Sequence, residues 1–362
     1  MPISVDPGIS KMELALAARN HGMPLEALTY DVTPAGLHYL LIHYDIPQVA
    51  VGSWTLTVDG AISRPLALTM EDIKSLPQVT ERVTMECAGN GRARLDPRPI
   101  GQPWLDEAVG TAEWTGVRLV EVLMAAGLED GAIEVLFSGM DRGVEGGYEQ
   151  PYERSLAMGD ASRPEVILAH SMNGQPLLPQ HGFPLRLIVP GWYGMTSVKW
   201  LHRITVLTEA FQGYQQSHSY RIRTQEEEPG EPVSRILPRS LMIPPGVPGY
   251  PDRERFVSAG EVTIRGRAWS GFGPINRVEV SVGDGGSWID ANVEPATHHY
   301  AWQSWHHIWN AAVGSYVLSS RATDATGLVQ PLDPVWNLGG YLVNATQSVT
   351  VTVTDRSAAS AR

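Results

Sequence analysis

Apolar and polar residues alternate in short runs along most of this chain, and the runs are bounded by turn residues rather than drawn out into long helical stripes. Trp54-Thr55-Leu56-Thr57-Val58 puts apolar side chains at every second position and then meets Asp59-Gly60, a pattern that predicts a half-buried strand entering a tight turn. Leu119, Val122, Leu123 and Ala126 recur instead at helical spacing, and Gly127 follows where a left-handed cap is usual, so a short amphipathic helix is predicted there. Further along, Val262 and Ile264, then Val278, Val280 and Val282, and finally Val349, Val351 and Val353 keep a period of two. Gly283-Asp284-Gly285-Gly286 supplies a hairpin turn before Trp288. The first part of the chain is therefore predicted to insert helices between strands. The last part is predicted to be a β-sandwich of immunoglobulin type, although the Cys…Trp…Cys spacing of antibody domains is absent.

Two stretches break the pattern. Glu226-Glu227-Glu228-Pro229-Gly230-Glu231-Pro232 and Pro244-Pro245-Gly246-Val247-Pro248-Gly249-Tyr250-Pro251 concentrate charge, proline and glycine, which oppose regular packing. They divide an α+β chain into an expected catalytic domain, residues 1–228, and a β-sandwich domain, residues 229–362. A length of 362 residues agrees, since it exceeds what one hydrophobic core usually serves.

Charge narrows the partners. A net charge of −12 with no Lys/Arg run argues against nucleic acid. Apolar runs such as Leu185-Arg186-Leu187-Ile188-Val189 are too short to cross a bilayer. Met1-Pro2-Ile3-Ser4-Val5-Asp6 lacks the basic and apolar stretches of an export signal, which places the protein in the cytoplasm, or in the periplasm if such a signal has been removed. The one cysteine, Cys87, forms no disulfide within the chain and belongs to no cysteine-rich metal cluster.

Cys87 sits in Arg82-Val83-Thr84-Met85-Glu86-Cys87-Ala88-Gly89-Asn90-Gly91-Arg92. An alternating strand, with Val83 and Met85 on one side, delivers the thiol into a Gly-Asn-Gly loop followed at once by arginine. Glycines let a backbone approach a bulky ligand, and a nearby guanidinium favours thiolate over thiol. Such a thiolate suits a soft or high-valent metal, and equally a catalytic nucleophile.

The Cys-Ala-Gly-Asn loop resembles that of the sulfite oxidase family of molybdenum enzymes, and the resemblance continues in order. Ala169 to Leu177, His181 to Trp192, Ser197 to Leu201, Gly266 to Gly271, Val280 to Gly286 and Pro334 to Leu338 all match, so that it spans about Thr33 to Val353. The resemblance implies molybdenum bound by Cys87 together with one pyranopterin dithiolene, the molybdopterin cofactor, and two-electron oxygen-atom transfer. His43, His181, Arg186, Ser197 and Lys199 are then the expected contacts of the pterin and its phosphate. Arg186 and Lys199 fit independently, because each lies in an apolar strand where a cation needs an anionic partner. Arg92 and Trp104 take the places of a pocket arginine and tryptophan. Departures fall on the substrate side. Leu41 stands where the family has an arginine, His170 where a tyrosine is expected before Met172-Asn173-Gly174, and His298 or His299 where a carboxy-terminal cation is expected.

These positions imply an oxidoreductase whose substrate pocket differs from that of a sulfite oxidase, with Cys87, Arg92, Trp104 and His170 at the reacting centre. His170 is there a hydrogen-bond or proton donor. The alternatives are a reductase of nitrate or of S- or N-oxides on the same fold, and a cofactor-free binding protein. Without a Cys-x-x-Cys-His there is no covalent haem on this chain, so electrons pass to an external acceptor. The second domain implies a homodimer. Adjacent histidines on a strand face opposite ways, so His298-His299 and His306-His307 do not suggest a zinc site.

Overall fold

The computed structural model describes residues 8–355 apart from 251 and 284, and strands dominate it. Met1 to Asp6 and Asp284 of the hairpin turn therefore lie outside the described residues. The first domain stacks two sheets. One runs in the order Leu66–Leu68, Leu56–Gly60, Leu201–Leu207, Glu134–Glu145 and Tyr148–Ala157, with a parallel pairing only between Leu56–Gly60 and Leu201–Leu207. The other runs Gln78–Glu86, Val109–Arg118, Ile167–Met172 and Gln175–Pro176, and Arg186–Ile188 also pairs with Ile167–Met172.

Local chemistry accounts for these elements. Leu56 and Val58 point into the core while Thr57 and Asp59 remain half-buried, which is the alternation expected of the strand. Gly60 ends it at φ 92°, and a Cβ there would fall 2.1 Å from the Val206 carbonyl oxygen. The helix Leu119–Ala126 buries Leu119, Val122, Leu123 and Ala126 completely, and Gly127 caps it at φ 70° by donating its N–H to the Leu123 and Met124 carbonyls. That helix and the inner faces of both sheets share one core.

The second domain is a sandwich of a four-stranded sheet (Arg239–Met242, Gly260–Trp269, Gln303–Ala311, Asn292–Val293) and a six-stranded sheet. The latter is built on Arg255–Ser258, Gln347–Thr354, Gly314–Asp324 and Ile275–Val282, with short strands Val247–Pro248 and Ile289–Asp290 at its edges. Ile264, Val278, Val280, Val351 and Val353, five of the alternating positions, fill the space between them with Trp305 and Trp309.

The two breaks in the pattern are more ordered than their composition predicts. Arg221–Ile222 and Glu231–Pro232 pair across the first, because Arg221 donates to the Pro229 and Gly230 carbonyls and Glu228 accepts from the Thr224 backbone at 2.7 Å. Within the second, Val247–Pro248 adds an edge strand to Arg255–Ser258. A third core, with Met23, Leu28, Tyr193, Leu241, Trp269 and Trp302, joins the two domains.

Candidate active site

The strand Gln78–Glu86 becomes buried towards its end, and Cys87 follows at 7% exposure. The Cys87 N–H donates to the Ala108 carbonyl at 2.9 Å, and the Cys87 carbonyl accepts from the Asn90 N–H at 3.0 Å, closing a turn over Ala88 and Gly89. Asn90 fixes that turn by donating from Nδ2 to Glu86 Oε1 at 3.0 Å and accepting at Oδ1 from the Ala108 N–H at 3.1 Å. Gly91 is required for close approach: at φ 94°, a Cβ would lie 2.3 Å from the Val343 carbonyl oxygen.

Cys87 opens onto a narrow cleft. His43, His181, Arg186, Ser197 and Lys199 all line it, brought together from four separate segments of the chain. Arg186 is buried on the short strand Arg186–Ile188, donating to the His181 carbonyl at 3.0 Å and the Ser197 carbonyl at 3.1 Å, with Trp114 at 4.8 Å beneath its guanidinium. Burial pushes it down to about 10, opposed only by the phenol of Tyr39, so no carboxylate neutralises it. Lys199 donates to the Leu41 carbonyl at 2.8 Å and the Gln180 carbonyl at 3.3 Å. Burial and then the Arg186 charge push it down to about 7, against the pull of Asp141. Ser197 Oγ accepts the Val189 N–H at 3.2 Å.

The imidazoles of this cleft are neutral. Burial, reinforced by Lys199, pushes His43 down to about 3. Burial, reinforced by His38 and Arg186, does the same to His181, also to about 3. His43 lies flat on Tyr152 at 4.5 Å and its Nε2 is 2.5 Å from the Tyr220 hydroxyl.

Sequence reasoning missed three residues here: Asp141, Tyr152 and Tyr220. Burial pushes the Asp141 carboxyl up to about 7, and its Oδ1 has no partner among the described residues. Tyr152 Oη donates to the Met195 carbonyl at 2.7 Å. Tyr220 holds φ 54°, a left-handed conformation that is costly for an aromatic residue and that orients the phenol towards His43. The alternation Gln150, Tyr152, Arg154, with every second polar residue buried, was the available signal for part of this set.

Arg92 and Trp104 flank Cys87 without lining the cleft. Arg92 folds over Gly89, donating to the Gln102 carbonyl at 3.0 Å and the Gly339 carbonyl at 3.1 Å, and covers Tyr341 at 5.4 Å. Burial pushes the Cys87 thiol up, and outweighs the Arg92 charge, the Gly89 N–H and the Trp104 indole, which all favour the thiolate. His170 does not line the cleft. The strand Ile167–Met172 bulges there, Ser171 pairing with Thr115 and Ala169 with Gly116, and the imidazole bonds to Gln78 Oε1 and Ser171 Oγ, each at 2.8 Å. His298 and His299 also lie elsewhere, in a surface cleft with Glu81, Arg82, Glu165 and Tyr300. The Tyr300 carbonyl accepts the Thr84 N–H at 2.8 Å and anchors that segment outside the strand.

The residues present suit a molybdenum-pterin. One soft sulfur shares the cleft with buried Arg186 and half-buried Lys199, neither in an ion pair among the described residues, and the unpartnered Arg186 Nε and Asp141 Oδ1 offer a donor and an acceptor to a polar anionic ligand.

Comparison with known proteins agrees. A model of the oxidoreductase molybdopterin binding domain matches residues 43–215, and one of the Mo-co oxidoreductase dimerisation domain matches residues 247–354. Sulfite oxidase of Arabidopsis thaliana is 34% identical over 343 residues, covering 86% of each chain. Mitochondrial sulfite oxidase of Rattus norvegicus is 34% identical over 349 residues, which cover 91% of this chain and 63% of the rat protein. The chain thus spans less than two thirds of the length of its mammalian relatives. Nitrate reductase [NADH] 1 of Oryza sativa is 30% identical over 386 residues, covering 97% of this chain and 40% of the relative. The sulfane dehydrogenase SoxCD structure from Paracoccus pantotrophus superposes with a TM-score of 0.80 at 25% identity, covering 98% of this chain and 95% of that one.

Proposed function

The chain belongs to the sulfite oxidase family of molybdopterin oxidoreductases, and we propose that it is the catalytic unit of an enzyme oxidising a small substrate by oxygen-atom transfer. When bound, the cofactor supplies two-electron oxygen-atom transfer, and the chain supplies its surroundings. The observation that carries this reading is the Cys87 thiol opening onto a cleft that Arg186 and Lys199 also line. Arg186 and Lys199 would hold the phosphate, Asp141 would accept N–H groups of the pterin, and His43, His181 and Ser197 would wall the ring system. Neutral His43 and Tyr220, 2.5 Å apart, are suited to pass a proton between the site and solvent. Arg92 and Trp104 would stabilise the Cys87 thiolate from the side.

On the substrate side the pocket is altered in charge. Leu41 brings no cation to the cleft, only its backbone carbonyl to Lys199. Electrons leave to an external carrier, and the second domain, matched by a dimerisation-domain model, supports a homodimer. The likeness to a nitrate reductase keeps the opposite direction, reduction of nitrate or of S- or N-oxides, as the second reading.

Metal analysis of protein produced in a cofactor-competent host tests the central reading, with about one molybdenum per chain expected for a single thiolate site. Metal-free protein would leave a binding role on an enzyme fold. Turnover with oxidised against reduced dyes fixes the direction. Light scattering at micromolar concentration should give twice the chain mass, and a monomer would remove the dimer.

A further inference from the structure

The second domain reaches the loop that carries Cys87 through an enclosed group of charged and polar side chains. Glu86, the residue before Cys87, projects from the other face of the strand and is 1% exposed. Its Oε1 lies 3.0 Å from Arg239 Nε, an ion pair whose N–H is not aligned as a hydrogen bond, and accepts from Asn90 Nδ2 at 3.0 Å. Its Oε2 accepts from Trp269 Nε1 at 2.8 Å. Arg239 and Trp269 stand opposite each other in neighbouring strands of the second domain, so one sheet edge presents both donors. Arg239 continues to Asp106 Oδ1 at 3.4 Å, to the Asn90 carbonyl at 3.3 Å and to the Val343 carbonyl. Leu342 N–H donates to the Ala88 carbonyl at 2.9 Å beside them.

Such a pair is a poor choice for stability alone. Removing two charges from water costs several kcal/mol per ion, and a packed apolar pair of similar volume is often at least as stable. What the ions provide is geometric selection, because a buried carboxylate held by two donors and a cation tolerates one placement of its backbone. One residue further on is the sulfur, and Asn90, which closes the turn around it, binds the same carboxylate.

We propose that Glu86 and Arg239 are a positioning pair through which the second domain sets the placement of Cys87 towards its metal. The proposal rests on Cys87 being the cofactor ligand. Glu86→Gln and Arg239→Gln are made singly and together in the holoenzyme, and molybdenum content, kcat, KM and the electron paramagnetic resonance spectrum of the partly reduced protein are compared. Arg239→Gln leaves the Glu86 carboxylate without its cation and Glu86→Gln leaves Arg239 with Asp106 alone, whereas the double change removes both charges of the pair and puts two neutral amides in their place. The single variants are expected to lose about 100-fold in kcat with little change in KM, as displacement of a reacting centre does. Their spectra should shift, and the double variant should recover both spectrum and rate to within about tenfold. Should a single variant fail to fold or to load metal, recovery in the double variant supports the pair and absence of recovery overturns it. Single variants with the unaltered spectrum and rate overturn it as well. Wild-type protein without molybdenum would instead remove the reading of Cys87, and this proposal with it.

Discussion

The guanidinium of Arg154 lies over the ring of Tyr220, 5.6 Å from its centre, inside the protein and beside the cleft. Tyr220 in turn packs on Tyr341 at 5.1 Å, and Arg92 covers the far side of Tyr341 at 5.4 Å. The groups acting on Arg154 are the phenols of Tyr152, Tyr220 and Tyr341 and the charge of Arg221, none of them a carboxylate, and its Nε has no partner among the described residues. Once Arg186 and Lys199 are assigned to the cofactor and Arg92 to the Cys87 thiolate, Arg154 remains beside the cleft as a cation with no carboxylate acting on it among the described residues.

Arg154→Met is therefore expected to raise KM for an anionic substrate by at least about tenfold, the scale of one charged hydrogen bond, while a neutral sulfide or sulfoxide is affected far less. Steady-state kinetics on both substrate types checks this. Equal losses for charged and neutral substrates would make Arg154 a packing residue only.

Cys87→Ser should abolish turnover and leave the fold in place, because a hydroxyl of similar size replaces a buried thiol but ionises far less readily and is a hard ligand. Thermal unfolding and turnover of the same preparation are the measurements. A fully active serine variant would exclude Cys87 as the metal ligand.

Sulfite should be a weak substrate because of Leu41, and His170 should have no part in it. With its ring bonded to Gln78 and Ser171 away from the cleft lining, His170→Phe is expected to leave KM for sulfite, and its pH dependence, unchanged. A KM that rises in His170→Phe would show that the imidazole acts at the site after all. Leu41→Arg should lower KM for sulfite by about tenfold, if the added guanidinium reaches the anion.

Acid should destabilise the metal-free protein through its neutral histidines. Burial holds His38 at about 4, and His43 and His181 at about 3, whereas the unfolded chain protonates each near the ordinary value of 6.5. Their contribution is complete above the unfolded value and is lost as pH falls from there towards 3 to 4, since the unfolded state then binds the extra protons. Asp141, raised to about 7, acts in the opposite sense from its ordinary 3.8 upward, because there the folded state holds the extra proton. Each histidine should add about 1.4 kcal/mol per pH unit to the slope within its window. Urea unfolding of wild type and His43→Asn between pH 7.5 and 4.5 measures one such increment, and equal slopes would rule it out.

Part of the cleft lining was legible in the sequence and part was not. Cys87 was marked by glycines and a following arginine, and Arg186 and Lys199 by cations in apolar stretches, features of single segments, although Lys199 lies in the bend before the strand Leu201–Leu207 and not, as expected, within a strand. The alternation around Tyr152 marks a strand face but not its destination, and Tyr220 has no local signature, since the two meet only because Tyr148–Ala157 and the Tyr220 turn converge on His43. His170 stays off the cleft for a related reason. The strand bulges at that residue, between the pairing of Ser171 with Thr115 and that of Ala169 with Gly116, and nothing in the sequence of one strand announces a bulge set by its neighbour. The breaks at 226–232 and 244–251 were misjudged because composition does not reveal the carbonyls that Arg221 and Arg255 find there.

Met23 and Leu28 are completely buried in the core that also holds Leu241, Trp269 and Trp302, so the amino-terminal segment fills a space that the second domain helps to enclose. A cut between the domains would leave these tryptophans and methionines facing water on both fragments. The chain should accordingly melt in a single calorimetric transition despite its two sandwich-like halves. Recombination between relatives would meet the same constraint: a transplanted β-sandwich would find its apolar seat only if the Met23–Leu28 stretch travelled with it.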